Sequence, residues 1–456
     1  MEDRLRYREV ATGPHGLRAP AALRGFFGME KKLPDGRLGR IARLAKLGLE
    51  TGASAVLGRK DDGKGAADRA ADVLGTMRGL AAKVGQMASY VDGLVPESKR
   101  DAFETSLKVL RAQAPRSSAL QIRAVIEKEL GASVEELFAE FDDVPIASAS
   151  IGQVHRARLP KDVMGGIEVA VKVQHPGIRK AVDSDLANAG ILESMGAMLG
   201  ARRFDTKTQL AVLRERFREE LDYTLEAARL SEFRTLHEGD ATIHVPRLVP
   251  ERSAASVLTA ELVHGRTLEE VMTEPESARR AWGETLWRYV FKGNLVGGMF
   301  NADPHPGNYL FQDDGHIAFL DYGCVQVIPE HRRPQARALH RAAVARDEPE
   351  FARCVSVLLD ARPGGMERLA REYSRLCFTP LFDSPYRITR SYAASLVDAM
   401  KNMGMAARKL PEADVFAMPG EMLFMNRLQF GFYSVLARLD VEIDYARVES
   451  PFLCEP

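Results

Sequence analysis

Cysteine, tryptophan and net charge are all scarce in this 456-residue chain. The four cysteines, Cys324, Cys354, Cys377 and Cys454, form no CxxC pair and have no histidine cluster beside them. That argues against a zinc site or a disulfide framework. Cys324 reads most simply as a small residue near a packed turn. The two tryptophans, Trp282 and Trp287, read as core residues of one helix. The 63 Lys and Arg balance 63 Asp and Glu, which argues against bulk nucleic-acid binding. No apolar run approaches a membrane span, and the glycine-interrupted stretch from Tyr289 to Phe300 is short and carries Lys292. The N-terminus, Met1-Glu2-Asp3-Arg4, lacks a signal-peptide pattern. The expectation is a cytoplasmic protein, with peripheral contact to the inner face of a membrane left open.

What is present is enough apolar material, 45%, for two or three packed lobes. Charge is uneven: residues 1–60 hold 13 Lys/Arg against 6 Asp/Glu. There Leu38, Ile41, Leu44, Ala45 and Leu49 share one helical face, with Arg37, Arg40, Arg43 and Lys46 elsewhere around it. Such a segment can rest on an anionic membrane surface. The plainer alternative, a helix packed on the main body, is preferred because the stripe is short and has no aromatic anchor.

Helical spacing recurs from Leu38 to Leu57 and from Ala67 to Val91, the latter containing Lys83-Val84-Gly85-Gln86. Ser118 to Leu130 reads as a helix closed by Gly131, and Ser133-Val134-Glu135-Glu136 as a capping box opening a short one. The pattern then turns to strands. Ile167 to Val173 alternates and is rich in β-branched residues, and Val245–Val249 and Ser256–Leu262 also fit strands. Helices are expected from Ile178 to Leu236, and from Leu268 onward apart from one loop region.

That loop region carries the chemistry. Asp303 and Asn308 lie five apart in Asn301-Ala302-Asp303-Pro304-His305-Pro306-Gly307-Asn308, and Asp321 follows thirteen later in Asp321-Tyr322-Gly323. A protein-kinase catalytic loop and DFG-type turn have this rhythm. Phosphoryl transfer requires a divalent cation against the phosphate charge, held by hard oxygen ligands. Asn308 and Asp321 can supply those ligands, and Asp303 can orient the attacking hydroxyl or water. Upstream, Lys172 sits in Val169-Ala170-Val171-Lys172, close to the VAIK strand whose lysine contacts α/β-phosphates. Such a lysine needs a carboxylate partner. Glu220, in Glu219-Glu220-Leu221-Asp222, is the expected one, with Glu219 as competitor. Adenine recognition is expected at the backbone after the last small-lobe strand, near Glu261-Leu262-Val263.

Together these pieces resemble the UbiB (AarF-type) family of atypical, protein-kinase-like proteins, over about residues 70 to 330. Lys83-Val84-Gly85-Gln86 matches its KxGQ motif, and Ala147-Ser148-Ala149-Ser150 its alanine-rich nucleotide loop. Glu220-Leu221-Asp222 matches its ExD motif, and Asp303, Asn308 and Asp321 its catalytic set. The resemblance implies that the KxGQ helix crosses the active site, with Lys83 and Gln86 gating it and Asp222 a partner for Lys83. It also implies that the alanine loop, where only Gly152 remains of a glycine-rich pattern, disfavours protein-kinase activity. Asn301 and Tyr322 depart from the commoner His and Phe, and no activation segment ending in APE follows Gly323.

The fold expected is therefore α+β, a two-lobed protein-kinase-like fold with an added N-terminal helical region. Its divisions are a basic segment 1–65, a KxGQ extension 66–135, a small lobe 136–263 and a helical lobe 264–456. The function expected is an ATP- and Mg²⁺-dependent atypical kinase or ATPase, binding ATP or ADP. The resemblance implies a link to isoprenoid-quinone (ubiquinone) biosynthesis or related lipid handling, with a lipid, a quinone precursor or quinone-biosynthesis proteins as partners. A nucleotide-regulated scaffold that binds lipid or protein is the alternative.

Overall fold

The computed structural model describes residues 117–148, 151–180, 182, 218–411, 414–416 and 421–454. The expected helices over 38–57 and 67–91 lie outside them, as does most of the helical run after Ile178.

Helix α1 (Ala119–Leu130) begins as its sequence requires. The Ser118 hydroxyl accepts the Gln121 N–H, the Gln121 side chain accepts the Ser118 N–H, and Gly131 closes the helix at φ 75°. Helix α2 (Val134–Leu137) starts from the Ser133–Glu136 box. Strands β1 (Glu140–Phe141), β2 (Ala147–Ser148), β3 (Gly152–Arg158), β4 (Glu168–Gln174) and, later in the chain, β6 (Val257–Glu261) form one antiparallel sheet. Its order is β1-β3-β4-β6, with β2 also on β3. Side chains alternate faces along β4. Val169, Val171 and Val173 are fully buried against Ile122 and Ile126 of α1 and Val134 and Leu137 of α2. Lys172 therefore faces the opposite way, toward the other lobe.

That packing moves one expected boundary. A division at 135/136 would cut through a single core, because α1 and α2 are the underside of the small-lobe sheet. A second difference lies at Val245–Val249. The strand there is β5, only Ile243–His244, paired parallel to β9 (Ile317–Phe319). Pro246 has no N–H to extend that ladder, and the backbone beyond it turns to β6: the Glu261 N–H donates to the Arg247 carbonyl at 2.8 Å and the Val249 N–H to the Thr259 carbonyl at 2.9 Å, around one antiparallel bridge at Leu248 and Ala260.

Helix α3 (Tyr223–Leu236) belongs to both lobes. Tyr223 and Ala227 pack with Leu258 of the sheet, whereas Leu230 and Phe233 join the large-lobe core. In the large lobe, α4 (Leu268–Val271) and α5 (Glu276–Lys292) lead through a π-helical turn (Gly293–Gly297) into β7 (Met299–Asn301). Trp282 and Trp287 are core residues of α5 as expected. β8 (Tyr309–Phe311) pairs with β9, and β7 with β10 (Val325–Val327), all antiparallel. The remainder is mainly helical: α6 (Arg333–Val344), α7 (Glu348–Leu358), α8 (Gly365–Cys377), α9 (Thr379–Phe382), α10 (Arg390–Ala407), α11 (Glu421–Leu439) and α12 (Tyr445–Glu449). The short pair of β11 (Tyr386–Arg387) and β12 (Glu442–Ile443) ties its far end.

Candidate active site

The β7–β10 and β8–β9 ladders fix the loop residues. Asn308 immediately precedes β8, and its carbonyl accepts the Leu320 N–H at 3.0 Å, so Asn308 lies across from the residue before Asp321. At the end of β7, the Asn301 amide donates to the Asp321 carbonyl, and its Oδ1 accepts the Asp303 N–H at 3.0 Å. The Asn308 amide Nδ2 donates to the Asp303 carbonyl at 3.1 Å, which turns its Oδ1 away as an acceptor. Asp321 Oδ1 accepts the Gly323 N–H at 2.8 Å. Asp303, Asn308 and Asp321 are thus tied together through Asn301. Asn301, expected to orient the loop rather than to bind metal, makes the hydrogen bonds that do so. Tyr322 is fully buried, and its hydroxyl donates to the Phe319 carbonyl at 3.1 Å, which anchors the turn.

From the small lobe, the Lys172 ammonium reaches this turn. It donates to both oxygens of Glu226, at 2.7 and 2.9 Å, and stands 3.5 Å from Asp321 Oδ2. It also lies 5.0 Å from the centre of the Tyr223 ring. Burial alone would lower the amine's pKa. The Asp321 and Glu226 carboxylates outweigh that and hold it well above its ordinary value, so Lys172 is a fixed cation.

The partner expected for Lys172 was Glu220; the structure puts Glu226 there instead. The reason is helical geometry. Tyr223, Glu226, Ala227 and Leu230 occupy i, i+3, i+4 and i+7 of α3, the stripe that faces the core. A carboxylate on that stripe is carried under the sheet, and the Glu226 side chain is only 3% exposed. Glu220 precedes the helix, in the turn before the N-cap Asp222, and Glu219 pairs with Arg229 at 2.9 Å. The signal in the sequence was a lone acidic residue in an otherwise apolar stripe. Asp222 itself caps α3, its Oδ1 accepting the Thr224 N–H at 3.0 Å.

Ala147 and Ser148 form β2, paired to Val154 and Gln153 of β3. Ala149 and Ser150 lie outside the described residues, as do Lys83 and Gln86. Gly152, where the loop rejoins β3, is needed for packing. A Cβ there would stand 2.4 Å from the Val173 carbonyl oxygen and 2.9 Å from the Tyr223 hydroxyl. At the end of β6, the Glu261 side chain accepts from Arg247 Nε at 3.1 Å, and the Leu262 N–H is taken by the Glu168 carbonyl. The Glu261 carboxylate and the Leu262 N–H are thus both engaged within the protein.

A lysine on a central strand clamped by a helix carboxylate, facing an Asp/Asn/Asp loop set, defines a protein-kinase-like domain. Residues 109–355, more than half of the chain, match the model of the ABC1 atypical kinase-like domain. The chain belongs to that family, and the resemblance to UbiB (AarF-type) proteins holds. It is 31% identical over 281 residues to the mitochondrial atypical kinase COQ8 of Saccharomyces cerevisiae, covering 61% of this chain and 54% of that protein. It is 32% identical over 312 residues to mitochondrial atypical kinase COQ8B of Rattus norvegicus, covering 64% and 57%. The chain spans about half the length of such curated relatives. Among solved structures it is similar to Rv3197 of Mycobacterium tuberculosis, solved with erythromycin, at a TM-score of 0.55 and 25% identity. That match covers 82% of this chain and 92% of that one.

Proposed function

We propose that the protein is a Mg²⁺-dependent, ATP-binding atypical kinase or ATPase of the UbiB type, acting in isoprenoid-quinone biosynthesis or related lipid handling. The observation that carries this reading is the meeting of Lys172, Glu226 and Asp321 across the lobes. Among the described residues no group of three His, Cys, Asp or Glu could hold a metal by itself. One carboxylate and one amide oxygen, completed by phosphate oxygens and water, suit Mg²⁺. Asp321 Oδ2 and Asn308 Oδ1 are those donors. Bound there, Mg²⁺ would neutralise phosphate charge during transfer.

The chain's own residues supply the rest. Lys172, kept charged and immobile by Glu226, contacts the α/β-phosphates. Asp303, its backbone fixed by Asn301 and Asn308, orients the attacking hydroxyl or water. The strand end at Glu261 and Val263 reads the adenine, and Ala147 to Ser150 cover the phosphates. Lys83 and Gln86 gate the site. Little protein-kinase activity is expected, because β10 passes through one turn (Glu330–Arg332) straight into α6, with no segment on which a peptide could dock.

No helix among the described residues is long and apolar enough to cross a membrane. The two atypical kinases named above are mitochondrial. We assign this chain a peripheral contact with a membrane surface, where a lipid or quinone precursor would be met. The test is steady-state phosphate release from Mg·ATP by wild type and Asp303→Asn, with and without anionic vesicles carrying a quinone-precursor mimic. The reading predicts a loss of about 100-fold or more in the variant with nucleotide binding retained. Equal release by both would leave the nucleotide-regulated scaffold as the better account.

A further inference from the structure

We infer that Gln153 is a positioning residue: with Ser117 and His155 it clamps, from behind the sheet, the base of the segment that covers the phosphates. The role toward nucleotide rests on the reading of Ala147 to Ser150 given above; the clamp itself is visible in the small lobe.

Side chains directly opposite one another in an antiparallel sheet share a face. Gln153, His155 and Ala157 of β3 stand opposite Val173, Val171 and Val169 of β4. They therefore lie on the face that packs against α1, away from Lys172 and the cleft. The pattern of that face calls for apolar residues. Gln153 and His155 are instead polar and only 1% and 0% exposed. Such a pair is costly to bury unless every donor and acceptor is matched.

They are matched, and in one direction. The Ser117 N–H donates to Gln153 Oε1 at 3.1 Å. The Gln153 amide nitrogen then faces His155 Nε2 at 2.9 Å, so that ring nitrogen is the acceptor. His155 Nδ1 carries the ring proton and donates to the Asp142 carbonyl at 2.7 Å. The chain starts at a backbone donor and ends at a backbone acceptor. Neither the amide nor the ring can turn over without losing a bond. Burial pushes the His155 pKa down despite the Asp142 and Asp143 carboxylates, which keeps the ring neutral as the chain requires. Phe141 stacks on the ring, with 5.1 Å between centres.

The clamp meets the segment between β2 and β3 at both of its described ends. Gln153 is paired with Ser148 of β2. The Ser117 hydroxyl lies 2.9 Å from His175 Nδ1, and the His175 N–H donates to the Ile151 carbonyl at 2.9 Å. Ser117 thus bridges residues 153 and 175, which flank Ile151 and Gly152. Removing the Gln153 amide frees this base while leaving Lys172, Glu226 and Asp321 in place on the other face. The expected loss is in nucleotide binding rather than in the chemical step.

The test uses the full chain with Gln153→Leu, His155→Phe and His155→Gln, the last keeping one acceptor and one donor. Hydrogen–deuterium exchange is read first, without nucleotide. Amides of residues 146–154 should exchange at least about tenfold faster in Gln153→Leu and His155→Phe, with α5 unchanged and protection largely restored in His155→Gln. Phosphate release from Mg·ATP should then show KM raised about tenfold and kcat within about twofold in the two disrupted variants, with KM near wild type in His155→Gln. Exchange equal in all four proteins overturns the clamp, whatever the nucleotide does. Faster exchange in α5 as well, or an unchanged KM, reduces Gln153 to a general stabiliser and overturns its positioning role. A wild type that releases no phosphate removes the function proposed above, and the exchange pattern alone then decides the clamp.

Discussion

On the large-lobe wall of the cleft, the hydrogen bonds that tie Asp303, Asn308 and Asp321 together span at most 20 residues, through the Asn301 side chain and two short strand ladders. On the small-lobe wall, the Lys172–Glu226 pair joins residues 54 apart and exists only when α3 docks beneath the sheet. The first wall is assembled by local chain geometry, the second by tertiary packing. A local site is robust to its neighbours and visible as spacing. A docked one is sensitive to any change in how the helix meets the sheet.

The sharpest way to break this contrast is at the docked pair. Lys172→Met should lower ATP turnover by about 100-fold or more, since the phosphates lose their fixed cation. Removing one partner of a buried pair should also cost about 3–5 kcal/mol of stability. Glu226→Gln should then couple to Lys172→Met in a double-mutant cycle by about 1 kcal/mol or more, and Glu220→Gln should not. Chemical denaturation of the four-protein cycles measures this; equal coupling to Glu220 would restore the original assignment.

A smaller effect is expected at the glycine that lets the sheet, the loop and α3 close together. Gly152→Ala should destabilise by about 1–3 kcal/mol, because the new methyl meets the Val173 carbonyl in a backbone that cannot yield cheaply. A melting temperature equal to wild type would show that the close approach is not maintained in solution.

An effect confined to acid pH, and absent at neutral pH, lies on the other half of α3's surroundings. His237 is buried and stacked on Tyr289 at 4.8 Å, with neither ring nitrogen hydrogen-bonded. Burial, helped by Lys292, pushes its pKa from 6.5 down to about 3. The folded protein therefore holds it neutral while the unfolded chain takes up a proton below pH 6.5. Its contribution is complete above pH 6.5 and is lost as pH falls toward about 3, by at most about 1.4 kcal/mol per pH unit. His237→Phe should flatten that part of the stability profile without changing turnover. Parallel profiles for the two proteins would contradict the assignment.

The same contrast decides what could be read from the sequence. Asp303, Asn308 and Asp321 were legible because loop length and strand pairing translate spacing directly into proximity. The caps of α1 and α2 and the alternation of β4 were legible for the same local reason. Glu226 was missed because the motif Glu220-Leu221-Asp222 drew attention to the turn, whereas the partner is set by which helix face docks. The expected 135/136 boundary failed because no local signal says that α1 and α2 pack under a sheet formed later in the chain. The strand expected over Val245–Val249 is realised only as a bridge from Leu248 to β6, because Pro246, with no N–H, parts it from β5.

The most direct test of the central claim is calorimetric binding of Mg·ATP to the full chain and to Asp321→Ala. The two-walled cleft predicts Mg²⁺-dependent binding by the wild type, weakened by about tenfold or more in the variant. Binding that is absent from the wild type, or equally strong in Asp321→Ala and indifferent to Mg²⁺, would contradict it.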